Sequence, residues 1–323
     1  MRWGILSTGR LSWKFASTIC EMKGEGDSII AVGSQTESRA RDFAREFDIP
    51  EYFGSYEEVL DVDEVEVVYI ATPNSYHYEN VRSALLHGKP VVVECPITLD
   101  PAQAKELYDL AREKNLFLLE SAWIHFLPGL LKVQELIRGG VIGKVSYVRT
   151  EYGVIPPANR STRYLSQDLG GGALYEVGMY NLSLIYMIMG SLSDDYTLDI
   201  SFNESRTDDF NIIHFKYPGG QHALVTNSIG LKMERRAAIV GTEGAIYIED
   251  FVQTNSFILK TSDGQTETFT FNHEFSSLEH EIREVERYIA WGKTHASVYT
   301  PEMSIEVLTR AIEIKNKFEN TRN

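Results

Sequence analysis

Cysteine is nearly absent: the 323 residues hold two, Cys20 and Cys95. Two thiols in apolar segments build no disulfide framework, and they suit a reducing compartment such as the cytoplasm. No CxxC pair and no HExxH run occurs, so the spacing offers no zinc site and no metal is expected. Basic charge is in deficit. Lys plus Arg number 31 against 46 Asp plus Glu, a formal net charge of −15. Such a surface repels phosphate backbones and anionic membranes, which excludes general nucleic-acid binding and leaves room for one local basic pocket. Long apolar runs are missing as well. The most hydrophobic window, Leu116 to Leu131, is broken by Glu120, His125 and Pro128, and it is too short and polar to span a bilayer. The first residues read directly into a strand, so no signal peptide is expected. Internal repeats and low-complexity segments are lacking too.

What is present is an ordinary globular composition, 43% hydrophobic. At roughly 150 residues per domain the length suggests two domains. The opening stretch alternates strand-like and helix-like patterns. Strands are expected at Trp3 to Ser7, Ser28 to Ser34, Glu66 to Thr72, Pro90 to Glu94 and Leu116 to Glu120. Helices are expected at Leu11 to Met22, Glu37 to Phe47, Tyr76 to His87 and Pro101 to Lys114, the last with Asp100 as N-cap. Strands alternating with helices imply parallel βαβ units, and continuous apolar runs imply strands covered on both faces. The fold class is therefore α/β: a doubly wound parallel sheet over residues 1–122, then an α+β domain over 123–323.

In the second part, helices at Gly129 to Arg138 and Ala173 to Met189 bracket a loop rich in Arg and Pro. Alternating segments follow at Thr197 to Glu204, Asn211 to Tyr217, His222 to Ser228, Ala237 to Val240, Ala245 to Glu249 and Ser256 to Thr261. Pro218-Gly219-Gly220 and Thr242-Glu243-Gly244 are hairpin turns, so this half reads as a mostly antiparallel open sheet. Helices at Leu278 to Trp291 and 301–319 close the chain, the final one expected to pack back on the first domain.

The first strand-to-helix turn, Gly4-Ile5-Leu6-Ser7-Thr8-Gly9-Arg10-Leu11-Ser12, carries the cofactor signal. A dinucleotide turn needs small residues where backbone approaches pyrophosphate. Gly9 holds the central place and Ser7 and Ser12 flank it, Ser7 with an ordinary backbone angle expected. A strand-turn-helix without ligand reads the same way on this segment alone; its position after the first strand and at a helix start favours the nucleotide. The second strand ends at Ser34-Gln35, where an enzyme preferring NAD carries an acid for the ribose hydroxyls. That acid is missing. Ser34, Arg39 and Arg10 suit a 2′-phosphate instead, which leans the choice between NAD and NADP toward NADP; a solvated Arg39 is the bland alternative. Ala71-Thr72-Pro73-Asn74 ends a buried-type strand, where ligands of parallel sheets bind, and His77 opens the next helix as a capping or packing residue.

These motifs, with Gly88-Lys89-Pro90-Val91-Val92-Val93-Glu94-Cys95-Pro96 and Gly170-Gly171-Gly172-Ala173-Leu174-Tyr175-Glu176-Val177-Gly178-Met179-Tyr180, come in one order and spacing. Together they resemble the glucose–fructose oxidoreductase / inositol dehydrogenase (Gfo/Idh/MocA) family, in its dimeric dihydrodiol dehydrogenase-like branch. The resemblance covers nearly the whole chain. It implies a nucleotide-binding domain, a second domain whose open sheet makes a homodimer face, and hydride transfer between NAD(P) and a carbinol or carbonyl carbon of a sugar, polyol or diol. Departures stand at three places. The family's Glu-Lys-Pro reads Glu94-Cys95-Pro96, which removes a cation beside the substrate oxygen. Glu176 stands for the usual Asp. Trp123-Ile124-His125-Phe126 stands for a Trp-x-Arg-Phe segment.

Alcohol oxidation needs a group to move the hydroxyl proton. Glu176 and Tyr180 lie one helical turn apart and so share a face, after a glycine run that lets backbone pass close to a ligand. Tyr180 is the candidate proton donor and acceptor and Glu176 its partner. His125, Arg163 or Arg160 supplies the positive charge that a phenolate requires, His125 first. Arg160, Arg163 and Trp123 are also the candidate substrate contacts. The polar pair at a domain interface is the plain alternative for Glu176 and Tyr180, and Cys95 reads as packed and inert. With the lysine gone, a nucleotide-binding sensor that has lost its chemistry competes with the enzyme reading, as does a cofactor-assisted glycosidase on the same fold.

Overall fold

Strand β1 (Arg2–Leu6) buries four of its five residues, and helix α1 (Arg10–Glu21) follows it with Ser12, Phe15, Ala16 and Ile19 buried at helical spacing. The computed structural model describes residues 1–157 and 161–320. Along the chain come β2 (Ser28–Gly33), α2 (Glu37–Phe47), β3 (Glu51–Phe53), α3 (Glu57–Leu60), β4 (Val67–Ile70), α4 (His77–Leu86), β5 (Val91–Glu94), α5 (Pro101–Glu113) and β6 (Leu118–Ser121). These strands pair in parallel in the order β3-β2-β1-β4-β5-β6. The order reverses on either side of β1, and such a switch point opens a crevice at the strands' carboxyl ends. Strands β4, β5 and β6 are buried at every position, as parallel strands covered on both faces must be. Phe15 seats α1 on the sheet: it stacks on Tyr69 at 3.9 Å between ring centroids and meets the edge of Trp3 at 4.9 Å. Truncating such a ring to alanine costs about 3–5 kcal/mol. Asp100 caps α5 by accepting the Ala102 amide at 2.8 Å, with Pro101 at the first helical position.

The other sheet begins after α6 (Pro128–Arg138), with β7 (Val145–Gly153), the short α7 (Ser161–Leu165), a π-helical turn at Leu174–Gly178 and α8 (Met179–Met189). Strands β8 (Tyr196–Phe202), β9 (Asp208–Lys216), β10 (His222–Ser228), β11 (Ala237–Gly241), β12 (Gly244–Ile248), β13 (Ser256–Thr261) and β14 (Thr266–Thr270) complete it, followed by α9 (Glu279–Ala290) and α10 (Pro301–Asn320). The order is β14-β13-β12-β11-β7-β10-β9-β8. All neighbours are antiparallel except β7 and β10. Val148, Ile239, Ile246 and Leu259 stand in register across four strands, all buried. Helix α8 packs on β7 and β10.

The sequence reading missed β7 and β14 here and the edge strand β3 in the first sheet. Strand β7 alternates, but its outward residues Val145, Tyr147 and Glu151 are half-buried, so the contrast between its faces is weak. The expected single α-helix from Ala173 holds only from Met179, because Leu174–Gly178 winds as a π turn. The chain divides into two compact units. One comprises Met1–Trp123 with His273–Ile305, the other Ile124–Asn272 with Glu306–Asn323. The single boundary at 122/123 expected from sequence does not foresee the return of His273–Ile305 to the first unit.

Candidate functional site

In the first unit the turn after β1 carries a correction. Ser7 does not have an ordinary backbone angle; its φ is +118°, a value that costs an L-residue free energy and that glycine adopts readily. Its hydroxyl accepts the Gly9 amide at 3.1 Å, and its own amide donates to Gly33 at 2.9 Å. The strained position of the fingerprint is thus filled by a serine that caps the turn. Gly9 is the N-cap of α1, no side chain caps that helix, and its first turn holds no acid. Unsatisfied amides at a positive helix end form an anion site. Thr8, Gly9, Arg10 and Leu11 are all at least partly open to solvent, whereas Ser12 is buried against the sheet. This arrangement fits the pyrophosphate of a dinucleotide. At the end of β2, Ser34 is buried with its Oγ 3.4 Å from Thr8 Oγ1, and Gln35 and Arg39 are exposed.

Ala71 follows β4 with its amide donating to the Leu6 carbonyl. Next come Thr72, Pro73 and the buried Asn74, which opens a 3₁₀ turn. His77 is fully buried. Its Nε2 lies 2.9 Å from the Thr72 carbonyl and its Nδ1 2.8 Å from the Pro96 carbonyl. The packing role expected of His77 is what the geometry shows: one ring joins the loops after β4 and β5. Asn80 braces the same turn by donating to Thr72 Oγ1 at 3.0 Å. Glu94 ends β5 in full burial and accepts the hydroxyl of Tyr69, while Cys95 is half-buried. Burial and then the Glu94 charge push the Tyr69 phenol well up. Glu281 of α9, bonded to Ser121 at 2.7 Å, is pushed up to about 8 by burial, with the Ser121 bond opposing and the Glu94 charge assisting. Lys14 sits 4.7 Å from the centre of the buried Trp123 ring and donates to Ser277 at 3.3 Å. Sequence reasoning missed Lys14 and Glu281. It also treated Glu120 only as a break in an apolar run. Glu120 is wholly buried, accepting Ile97 N at 2.8 Å, the Tyr299 hydroxyl at 2.9 Å and the Ser304 hydroxyl.

In the second unit Tyr180 is buried, its ring 6.2 Å from that of Tyr152. Glu176 lies in the π turn, 3.6 Å from the Arg163 guanidinium, its side chain 7% exposed. π turns inside helices occur frequently at functional sites. His125 is buried with Nε2 2.6 Å from Ser183 Oγ, one turn along α8 from Tyr180. Arg163 is therefore brought to Glu176 and His125 to Ser183, while Arg160 lies outside the described residues. The glycine run has another purpose than the one expected. A Cβ at Gly171 would strike the Tyr164 carbonyl, and one at Gly172, whose φ is +118°, would strike Asp208. These glycines make room for the chain's own groups. Asp208 anchors a buried relay: it accepts Leu174 N at 2.7 Å and Asn211 Nδ2 at 2.9 Å, Asn211 accepts from Asn227 at 2.7 Å, and Asn227 accepts from Asn181 at 2.6 Å. Burial pushes Asp208 up to about 7.

Comparison with known proteins places the chain in a family. Residues 1–121 match the model of an oxidoreductase family with an NAD-binding Rossmann fold, and residues 130–247 match the Gfo/Idh/MocA C-terminal domain. A trans-1,2-dihydrobenzene-1,2-diol dehydrogenase of Xenopus laevis is 30% identical over 259 residues, 80% of this chain and 78% of that one. Its Mus musculus counterpart is 31% identical over 250 residues, 77% and 74% of the two chains. Among solved structures, the 3-ketoreductase KijD10 of Actinomadura kijaniata, in complex with NADP and TDP-benzene, superposes with a TM-score of 0.86 at 21% identity, covering 98% of this chain and 97% of that one. A levoglucosan dehydrogenase in complex with NADH and levoglucosan gives 0.84 at 18%, with the same coverage. At those identities the likeness is one of fold. Two family models in chain order, dehydrogenase relatives over three quarters of its length and an uncapped dinucleotide turn at the sheet's switch point make this chain a member of the Gfo/Idh/MocA oxidoreductase family, with that family's NAD-binding Rossmann fold at its start.

Proposed function

We propose that this chain transfers a hydride between a nicotinamide cofactor, NADP in preference to NAD, and a carbinol or carbonyl carbon of a sugar, polyol or diol. The observation that carries the cofactor half is the first unit's turn: an uncapped α1 behind Ser7, Thr8 and Gly9. Ser34 and the exposed Arg39 stand at the end of β2, where no acid is present to favour ribose hydroxyls. The substrate class rests on the relatives named as diol dehydrogenases. When bound, the nicotinamide ring supplies or accepts the hydride. The chain's own work is to hold the pyrophosphate on the α1 amides, to hold the 2′-phosphate with Arg39, Ser34 and Arg10, and to line the adjoining ribose and ring with Ala71, Thr72, Pro73, Asn74, Glu94 and Cys95. Tyr180 moves the proton at the substrate oxygen. Glu176, held by Arg163, orients it, and His125 acts through Ser183.

A homodimer and a cytoplasmic location belong to the same reading. The outward face of the second sheet presents Tyr147, Ile212, Leu224, Tyr247 and Ile258, all partly exposed, interleaved with Arg149, Glu151, His214 and Lys260, a mixed face of the kind a second copy can cover. Both cysteines are half-buried, and among the described residues no helix is long and apolar enough to cross a membrane. The acidic net charge argues against nucleic acid as a partner.

Titration with NADPH and NADH, followed by a panel of polyols, aldoses and diols, tests the reading. NADPH binding tighter than NADH, with turnover on one of these classes, supports it. Failure to take up either coenzyme at millimolar concentration overturns it. Cys95 in place of a lysine favours one competing reading, the sensor: binding without turnover, and no gain in Cys95→Lys, decides for that. Release of an aryl leaving group without net reduced cofactor decides for the glycosidase.

A further inference from the structure

His273, Glu279 and His280 in the first unit bring three ligand-type atoms within 4.8 Å of one another. His273 Nδ1 stands 2.9 Å from His280 Nε2, and His280 Nε2 stands 3.5 Å from Glu279 Oε1. In a tetrahedral zinc site, bonds of about 2.0–2.1 Å separate neighbouring donors by about 3.3 Å. The two observed edges fall on either side of that length. The carboxylate is already fixed: Glu279 is buried, and its two oxygens accept Glu274 N at 2.8 Å and Phe275 N at 2.6 Å. Such outer bonds orient a metal ligand before the ion arrives.

We propose that His273, Glu279 and His280 form a site for a borderline divalent transition metal such as Zn²⁺, with solvent in the fourth position. Two imidazoles and one carboxylate select that class over Mg²⁺ or Ca²⁺, which take oxygen ligands. Both histidines are partly exposed, so an ion and a water have access. The opposing charge is Arg283, whose Nη1 lies 3.8 Å from Glu279 Oε1. Its Nη2 already bonds Glu274 at 3.1 Å, so the guanidinium has a second carboxylate to rest on when a cation takes Glu279.

The site has a structural consequence within the unit. Between the first and second ligands, Ser276 bonds Thr18 at 2.7 Å and Ser277 accepts Lys14 at 3.3 Å. Thr18 and Lys14 belong to α1, the helix that opens at the dinucleotide turn. Closing residues 273–280 around an ion fixes that loop on α1. The ligand spacing matches no compact metal motif, because a loop and a helix start bring the three together only after folding.

The experiment is calorimetric titration of chelator-stripped full-length protein with ZnCl₂, together with thermal melts with and without the ion. One equivalent is expected to bind, to raise Tm, and to lose at least tenfold in affinity in both His273→Ala and His280→Gln. The cross-strand pair His214 and His222, 2.9 Å apart in the second unit, is the competing site and supplies the control: His214→Ala is expected to change nothing. Unaltered affinity in both triad variants, loss of binding in His214→Ala instead, or no uptake by the wild type overturns the proposal. Circular dichroism of each variant shows that it is folded, and NADPH titration reads the nucleotide turn separately.

Discussion

His77 Nδ1 lies 2.8 Å from the carbonyl oxygen of Pro96. Because Nε2 of the same ring meets Thr72 O at 2.9 Å, one side chain holds together the loops after two adjacent parallel strands. Those loops lie at the carboxyl end of the sheet, where the ligand crevice of this fold forms. His77→Ala removes the ring's one N–H donor from these carbonyls, at about 1–3 kcal/mol, and leaves a cavity that costs more. Urea unfolding is expected to show a loss of about 3 kcal/mol, with weakened NADPH binding alongside; a loss below about 0.5 kcal/mol is the size of a surface substitution and contradicts the clamp.

Ser7 keeps a positive φ at the turn's tightest point and also occupies the Gly9 amide. Ser7→Gly removes the strain of roughly 1 kcal/mol and frees that amide for an anion. A higher Tm and a several-fold lower dissociation constant for NADPH are expected, read by melting and by coenzyme fluorescence. Weaker coenzyme binding would show instead that the serine hydroxyl itself holds the phosphate.

Stability should fall as pH rises from the ordinary carboxylate range near 4 up to about 8. Glu281 is pushed up to about 8 and Asp208 up to about 7, in both by burial foremost. The folded chain retains protons there that the unfolded chain, with ordinary carboxylates, has already released. Unfolding then releases protons, so stability falls as pH rises. The contribution is whole below the unfolded carboxylate range and is lost as pH climbs through the folded values. Asp109 and Asp263, held below the ordinary range chiefly by side-chain hydrogen bonds, act only in acid. Glu281→Gln is expected to flatten the upper part of the Tm–pH curve; an unchanged slope there removes Glu281 from the account.

Tyr180 and the Glu176–Arg163 pair give a catalytic test that separates chemistry from binding. Tyr180→Phe keeps the buried ring and removes only the oxygen. Turnover is expected to drop about 100-fold or more, with NADPH affinity unchanged. Arg163→Ala, which removes the partner of Glu176, is expected to raise KM more than it lowers kcat. Equal kcat in Tyr180→Phe and wild type assigns the proton to another group.

The Rossmann half was legible because each βαβ unit writes a local pattern: apolar runs for Val91–Glu94 and Leu118–Ser121, a capped and Pro-started helix at Pro101. The turn at Ser7 to Gly9 was found for the same reason, although its backbone strain was not. Strand β7 escaped because half-buried outward residues blur its alternation, and its parallel pairing with β10 joins segments some seventy residues apart that no hairpin turn announces.

Periodicity, caps and turn residues are properties of neighbours along the chain, and they determined the fold class, the order of the elements and the position of the dinucleotide turn. The meeting of Glu120 with Ser304, 184 residues away, was decided only in three dimensions, as were the clamp at His77, the relay from Asp208 to Asn181 and the convergence of His273 with Glu279 and His280. A buried polar group takes its partner from whatever the packed core brings within about 3 Å, and that choice leaves no periodic mark on the residues between.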